Sequence, residues 1–384
     1  MLKGPSVLLR RYFTAIFALS LATCPLSTEA LETISKQAIL LDARTGTILF
    51  EKNADERMPP SSMSKIMTIY RLFDALKSGN LSLNDNFYVS EKAWRKQGSK
   101  MFVSVNSRVK VEDLIRGIIV QSGNDASIVV AEGLSGSEGV FTQELNEIAK
   151  QLGLNSSNFT NASGWPERDH YTTARDLSKL ALATINNFPE YYHYYAEKSF
   201  TYNGIKQGNR NPTLYRNIGS DGLKTGHTQA AGYGLTASAL RKDRRLVIVL
   251  NGLPNTRSRA SESERMLDWG FRVFDNYEFF KAGDTVTDAS VWMGESSKVP
   301  LLILQDLIVT LPKKARKNMK LSAVFNQPVP APIKKGQKLA ILKVEIPGKE
   351  TQEVPLVSGA DVNRLGMILR LGAAIKYILW GETG

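Results

Sequence analysis

One cysteine, Cys24, and three scattered histidines, His170, His193 and His227, are all that this chain offers of the side chains that staple folds or hold zinc. A single cysteine excludes an internal disulfide, and no pair of these residues has zinc-ligand spacing. Neither a metal nor an organic cofactor is implied. Internal repeats and low-complexity stretches are also missing. What remains is ordinary globular composition, 42% hydrophobic and 22% charged over 384 residues, enough for two domains plus appendages. The formal net charge of +12 points to anionic partners, with plain solubility as the competing reading. No nucleic-acid-binding motif accompanies the charge, so a nucleic acid is not among the expected partners.

The termini carry the segments that look least like a folded core. Lys3, Arg10 and Arg11 precede an apolar run, Tyr12 to Leu26, and Thr28-Glu29-Ala30 is an approximate small-x-small cleavage site. Residues 1–30 therefore read as an export signal, which would remove Cys24. A lipoprotein site at Cys24 is a poor match, since Thr23 precedes the cysteine and Pro25 follows it. An uncleaved anchor helix is the alternative. At the other end, Asn363 to Trp380 would span about 27 Å as a helix. Met367, Ile368, Leu371, Ile375, Ile378 and Leu379 fall on one stripe, while Arg370 and Lys376 lie elsewhere. Basic residues within it disfavour a bilayer crossing. Residues 362–384 are read as an amphipathic helix lying on a membrane surface, with packing against its own domain as the alternative.

Between these ends, periodicity separates two domains. Ala38–Asp42 and Thr47–Phe50 read as strands around a turn. Helices are expected from Ser62 to about Leu76, over Val111–Val120, Ile128–Leu134 and Phe141–Leu152, and from Thr172–Thr173 to residue 186. Tyr191–Tyr195 reads as an aromatic core edge. Gly222–Thr228, Gly232–Leu240 and Leu246–Leu250 read as strands, and Ser261–Phe274 as a closing helix. Residues 31–276 thus form a mixed α/β domain. Residues 277–361, short apolar runs punctuated by Pro, Gly and Lys, form a small all-β domain whose Lys313–Lys317 run is a solvated face.

The chemistry gathers around Pro60-Ser61-Ser62-Met63-Ser64-Lys65-Ile66-Met67-Thr68. Three apart at a helix start, Ser62 and Lys65 share one face, so the amine can take the hydroxyl proton. Burial and nearby positive charge keep such an amine neutral, and a helix N-terminus stabilises developing negative charge. Ser62 is the expected nucleophile. Singly these patterns are weak. Ser-x-x-Lys recurs at Ser107–Lys110, and Ser-x-Asn at several places, including Ser78-Gly79-Asn80, which reads as a helix-end turn. Order and context discriminate: Ser62 starting a helix, Ser122-Gly123-Asn124 at a helix–helix break that its glycine makes, then Lys224-Thr225-Gly226 on a strand.

That ordered triple, extended by Ser61–Thr68, Ser122–Ala126 and Asp221–Thr228, resembles the signature of penicillin-binding proteins and serine β-lactamases. Together with the small β-domain and C-terminal amphipathic helix, it is most similar to the low-molecular-weight D-alanyl-D-alanine carboxypeptidases. The resemblance implies an α/β transpeptidase-like catalytic domain and an acyl-enzyme that removes the terminal D-Ala from peptidoglycan stem peptides and is trapped by β-lactams. It implies location at the periplasmic face of the inner membrane. Ser62 would attack, Lys65 accept its proton, and Ser122 relay a proton to the leaving amine. Asn124 would bind the peptide and Lys224 supply a positive field; Thr225 and Arg210 would hold the terminal carboxylate, with Arg216 the alternative to Arg210, and Gly226 would also bind substrate. Backbone N–H groups of Ser62 and His227 would form the oxyanion hole. Ser163-Gly164 departs from relatives with His before that glycine. Three rival readings stand: a β-lactamase using Glu167, a D,D-endopeptidase with the same residues, and an inactive binding module.

Overall fold

The structure, a computed structural model, describes residues 31–348 and 350–369. The proposed export signal (1–30) and most of the amphipathic segment (370–384) lie outside the described residues.

Five antiparallel strands organise the catalytic domain, in the order Ile48–Lys52, Gln37–Asp42, Arg244–Leu253, Gly232–Arg241, Ser220–Thr228. Gln37–Asp42 is buried along its whole length because both sheet faces are covered. Ile39 and Leu41 join Val247 and Val249 in the main core. On the other face, Leu40 and Leu246 press against Gly270 of the helix Thr256–Val273, where an added Cβ would come within 3 Å of either side chain.

At the centre of the main core runs the helix Lys65–Lys77, entered through a 3-10 turn, Ser61–Ser64. Met63, Ile66, Met67, Leu72 and Phe73 are fully buried, as their spacing requires. The helices Val111–Ile119, Asn124–Ser135, Glu138–Gln151 and Ala174–Asn187 occupy the expected stretches. Tyr195 stacks edge-on against Phe73, so the tyrosine run is core. Two short antiparallel strand pairs, Asn86–Tyr88 with Arg108–Lys110 and Ser199–Tyr202 with Ile205–Gly208, were not legible in the polar sequence.

Three boundaries differ from expectation. The helix expected from Ser261 begins at Thr256, because Asn255 caps it by accepting from Ser258 N at 2.8 Å. The break before Asn124 is made by Ser122, which adopts a left-handed φ of 60°, and not by the glycine. Gly123 has an ordinary φ of −58°; it is there for space, since a Cβ would meet Asp125 Oδ1 at 2.9 Å and Met101 N at 3.1 Å. Third, Asn363–Gly366 are not helical: Arg364 bridges to Gly294, Leu365 N donates to Met293 O at 2.9 Å, and helix starts only at Met367.

The C-terminal region is all β. Its first strand, Phe274–Phe280, pairs with Leu307–Pro312 and so spans the domain boundary placed after residue 276. A six-stranded sheet of short strands follows, around Leu301, Ile303, Val344 and Leu356. The Lys313–Asn318 segment is an exposed 3-10 turn.

Candidate active site

The Ser61–Ser64 turn abuts the edge strand Ser220–Thr228 at Gly226, where a Cβ would sit 3.0 Å from Pro60 O and 3.1 Å from both Met63 Cγ and Ser61 Cβ. This glycine lets the Ser61–Ser64 turn lie flat on the strand. One residue into the helix, Lys65 is completely buried. Its Nζ has three neighbours: Ser62 Oγ at 3.0 Å, Asn124 Oδ1 at 2.7 Å and Ser163 O at 2.5 Å. Two of the three are carbonyl oxygens, which only accept. A neutral amine has two N–H groups for them and one lone pair left for the Ser62 hydroxyl. Burial, then the Arg210 charge, brings the Lys65 pKa down to about 7, against an opposing pull from Asp125.

Each partner of Lys65 is itself held. Asn124 Nδ2 donates to Gln97 O at 2.8 Å, fixing which amide atom faces the lysine. Ser163 sits in a turn gathered by Asn161 Oδ1, which accepts from Ser163 N at 3.2 Å and Trp165 N at 3.0 Å. Gly164 has φ of 75°, and a Cβ there would lie 1.9 Å from Ser61 O. The Ser163-Gly164 departure therefore leaves a working contact: the loop meets Lys65 through its backbone. Asp125 Oδ1 and Oδ2 accept from Met101 N at 2.8 Å and Phe102 N at 2.9 Å, pinning the facing wall.

Ser62, Asn124 and His227 open onto a cleft of about 240 Å³, walled by Gly98 and Ser99 on one side and Ser163–Pro166 on another. His227 stacks on Tyr233, ring centroids 3.9 Å apart. Ser122 is 1% exposed, and its hydroxyl makes no hydrogen bond to Lys65 or Lys224. Thr225 and Lys224 are buried on the strand behind. Arg210 Nη1 donates to Ser99 Oγ at 2.5 Å, which brings it to the cleft wall, whereas Arg216 pairs with Glu264 away from it.

Sequence reading missed Arg259. It is 7% exposed, reaches Gly226 O and Arg210 O at 3.5 Å each, stacks over Tyr233, and its Nε is buried without a partner. A signal existed: Arg259 lies on the buried face of its helix, in step with Ser263, Met266 and Gly270. Burial brings its pKa down to about 10. Burial, reinforced by Lys65, Arg210 and Arg259, holds Lys224 well below the usual ammonium range. The group is a concentration of cations with no carboxylate bonded to Lys224, Arg210 or Arg259 among the described residues. Such a pocket is built for an anion.

The decoys resolve as surface features. Ser107 caps its own turn, Lys110 pairs with Glu112, and Ser78-Gly79 ends the Lys65–Lys77 helix. Glu167 is exposed and outside the cleft lining. No group of three or more His, Cys, Asp or Glu suited to a metal occurs among the described residues.

A cleft serine bonded to a buried lysine under an antiparallel sheet edge, with a cationic pocket beside it, defines a serine acyl-transferring enzyme of the penicillin-binding class. Residues 25–254 match the D-alanyl-D-alanine carboxypeptidase family, and residues 274–364 match the C-terminal domain of penicillin-binding protein 5. The chain belongs to the D-alanyl-D-alanine carboxypeptidase family. It is 38% identical to D-alanyl-D-alanine carboxypeptidase DacC of Escherichia coli over 96% of this chain and 94% of that one. Penicillin-binding protein 5 from Haemophilus influenzae superposes with a TM-score of 0.79 at 36% identity, covering 87% of this chain and 99% of that chain. Penicillin-binding protein D2 from Listeria monocytogenes, solved in an ampicillin-bound form, covers 63% of this chain and 99% of its own, with TM-score 0.58 and 28% identity.

Proposed function

We propose that this chain is a serine-type D-alanyl-D-alanine carboxypeptidase that trims the terminal D-Ala from peptidoglycan stem peptides and is acylated by β-lactams. The observation that carries it is the environment of Lys65, whose two carbonyl acceptors leave its lone pair for Ser62. The family and its ampicillin-binding member support the substrate and inhibitor classes.

In this reading Ser62 Oγ loses its proton to Lys65 Nζ and bonds the penultimate D-Ala carbonyl carbon. Negative charge on the carbonyl oxygen meets the backbone N–H groups of Ser62 and His227. The scissile C–N bond then breaks, with a proton passing through Ser122 to the departing D-Ala nitrogen. Water hydrolyses the resulting Ser62 ester. Asn124 aligns the peptide, and Thr225 and Gly226 present the strand edge to it. Lys224, Arg210 and Arg259 receive the terminal carboxylate, whose binding neutralises a pocket otherwise crowded with cations.

The same reading places the mature chain outside the cytoplasm, at the periplasmic face of the inner membrane. The basic-then-apolar residues 1–30 support export. For surface attachment, the support is the exposure of Met367 and Ile368, the first residues of the apolar stripe. No helix among the described residues is long and apolar enough to cross a membrane.

The test is D-Ala release from a monomeric pentapeptide. Release by the wild type and none by Ser62→Ala is expected; release that survives this substitution would remove Ser62 from the mechanism.

A further inference from the structure

The end of the catalytic sheet away from the cleft carries a second gathering of cations. The strand Gly232–Arg241 pairs at Gly234 with Gly226, against which the Ser61–Ser64 turn packs, and ends seven residues later at Arg241. At 3.3 Å per residue that end lies about 23 Å along the strand from the cleft. There a cavity of about 420 Å³ opens between the hairpin turn Arg241–Arg244, the turn that carries Arg44, and Lys313 of the β-domain. Phe271 is its hub. The Arg241 and Arg244 guanidinium carbons lie 4.5 and 5.8 Å from the centroid of its ring, and Lys313 Nζ donates to its carbonyl oxygen at 3.3 Å. Three cations are thus drawn onto one residue.

The cations around this cavity are of two kinds. Arg241 pairs with Asp268 and donates through Nε to Ile218 O at 2.9 Å. Arg244 gives Nε to the buried Asp42 at 2.8 Å and Nη1 to Phe274 O at 2.6 Å, and Arg44 pairs with Glu278 at 3.1 Å. These arginines are held in place and supply fixed charge. Lys242 and Lys313 are exposed and have no carboxylate within salt-bridge distance among the described residues. Asp243 and Asp275 also line the cavity, so its wall sets five cations against two carboxylates. The turn Lys313–Asn318 adds Lys314, Arg316 and Lys317, all exposed. Two free ammonium groups sharing one cavity with three arginines make its potential positive. We propose that this cavity binds a phosphate group between Lys242 and Lys313. A tetrahedral phosphate offers oxygens in several directions, which suits donors arriving from separate elements better than a planar carboxylate does. Lys242 belongs to the catalytic domain and Lys313 to the β-domain, so the bound phosphate ties the two together.

Isothermal titration of the protein with inorganic phosphate and with malonate, both dianions at pH 8 and compared at equal ionic strength, separates phosphate recognition from charge alone. Phosphate is expected to bind about tenfold more tightly than malonate, and more weakly as salt is raised. Lys242→Gln and Lys313→Gln should each weaken phosphate binding about tenfold, the scale of one charge-assisted hydrogen bond. Lys335→Gln, at an exposed lysine outside the cavity lining, should leave it unchanged. The site stands apart from the carboxypeptidase reading, and acylation of Ser62 by benzylpenicillin should keep its wild-type rate in all three variants. Vesicles of phosphatidylglycerol in phosphatidylcholine identify the source of the phosphate. Vesicle binding that free phosphate displaces and Lys313→Gln weakens assigns a lipid headgroup, and vesicle binding that neither alters assigns a soluble phosphate. No phosphate binding, equal affinity for malonate, or phosphate binding undiminished in both cavity variants would overturn the site.

Discussion

Lys65 Nζ lies 3.0 Å from Ser62 Oγ, yet its two shorter contacts, to Asn124 Oδ1 and Ser163 O, are both to atoms that cannot donate. A neutral amine held in this way turns its lone pair toward the Ser62 hydroxyl, as the proposed mechanism requires. With a pKa of about 7, it is substantially neutral at physiological pH. Acylation by a β-lactam should rise with pH through an apparent pKa near 7, measured as the second-order rate constant. Arg210 lowers that pKa through its charge, so Arg210→Gln should move the profile upward. Lys65→Arg cannot supply a neutral base, and its acylation rate should fall by about a thousandfold. A flat profile between pH 5 and 9 would be inconsistent with this base.

Gly164→Ala tests the loop that carries Ser163. The left-handed φ and the 1.9 Å approach of a Cβ to Ser61 O cannot both be accommodated without moving the Ser61–Ser64 turn. Loss of acylation with a lowered melting temperature is expected. Wild-type acylation kinetics in this variant would show that the loop does not position Lys65.

Asp125 is buried and accepts from four backbone N–H groups, those of Met101, Phe102, Val103 and Ala126. Asp125→Ala leaves these donors unpaired, each at about 1–3 kcal/mol less any water that enters. Hydrogen exchange should accelerate at residues 97–103, the wall that bears Ser99, before it accelerates in the central helix.

Lys224→Met separates stability from function. Since Lys224 is held below its unfolded pKa, the unfolded chain binds a proton that the folded one resists. This opposes folding at neutral pH, and the opposition fades as pH rises to the ordinary lysine range. The variant should melt higher than the wild type at pH 7, by a margin that narrows toward pH 10, while acylation is largely lost. A lower melting temperature at pH 7 would mean that the buried ammonium is better compensated than the geometry shows.

Asp42 joins the two domains. It accepts from Arg244 Nε at 2.8 Å and Asn276 Nδ2 at 3.1 Å while fully buried, and Thr45 Oγ1 meets Thr310 Oγ1 at 2.5 Å beside it. Asp42→Ala strands the Arg244 charge and should lower stability by about 3–5 kcal/mol. Limited proteolysis should then cut near residues 274–280, which the intact protein protects.

The catalytic core was legible because helix period, strand alternation and a motif in fixed order all agree on it. Ser62, Lys65 and Asn124 converge as their motifs imply, and Arg210 rather than Arg216 reaches the cleft. What local pattern could not reveal were contacts made across the fold. Arg259 looks like any helix arginine until its buried face is matched to the strand beside it. Asn161 is one polar loop residue among many, and only its paired bonds to Ser163 and Trp165 distinguish it. The Ser122 break was placed correctly but credited to glycine, because a left-handed serine has no sequence signature. Asn363–Gly366 lie just before the apolar stripe and are held by Met293 and Gly294, a tertiary pairing that delays the helix to Met367.

The most direct measurement is the intact mass of the protein through a time course with benzylpenicillin, beside Ser62→Ala. The account requires one drug-sized adduct on the wild type, decaying slowly, and none on the variant. An adduct that vanishes while the drug is consumed would make the chain a β-lactamase, and no adduct at all would contradict the Ser62–Lys65 mechanism.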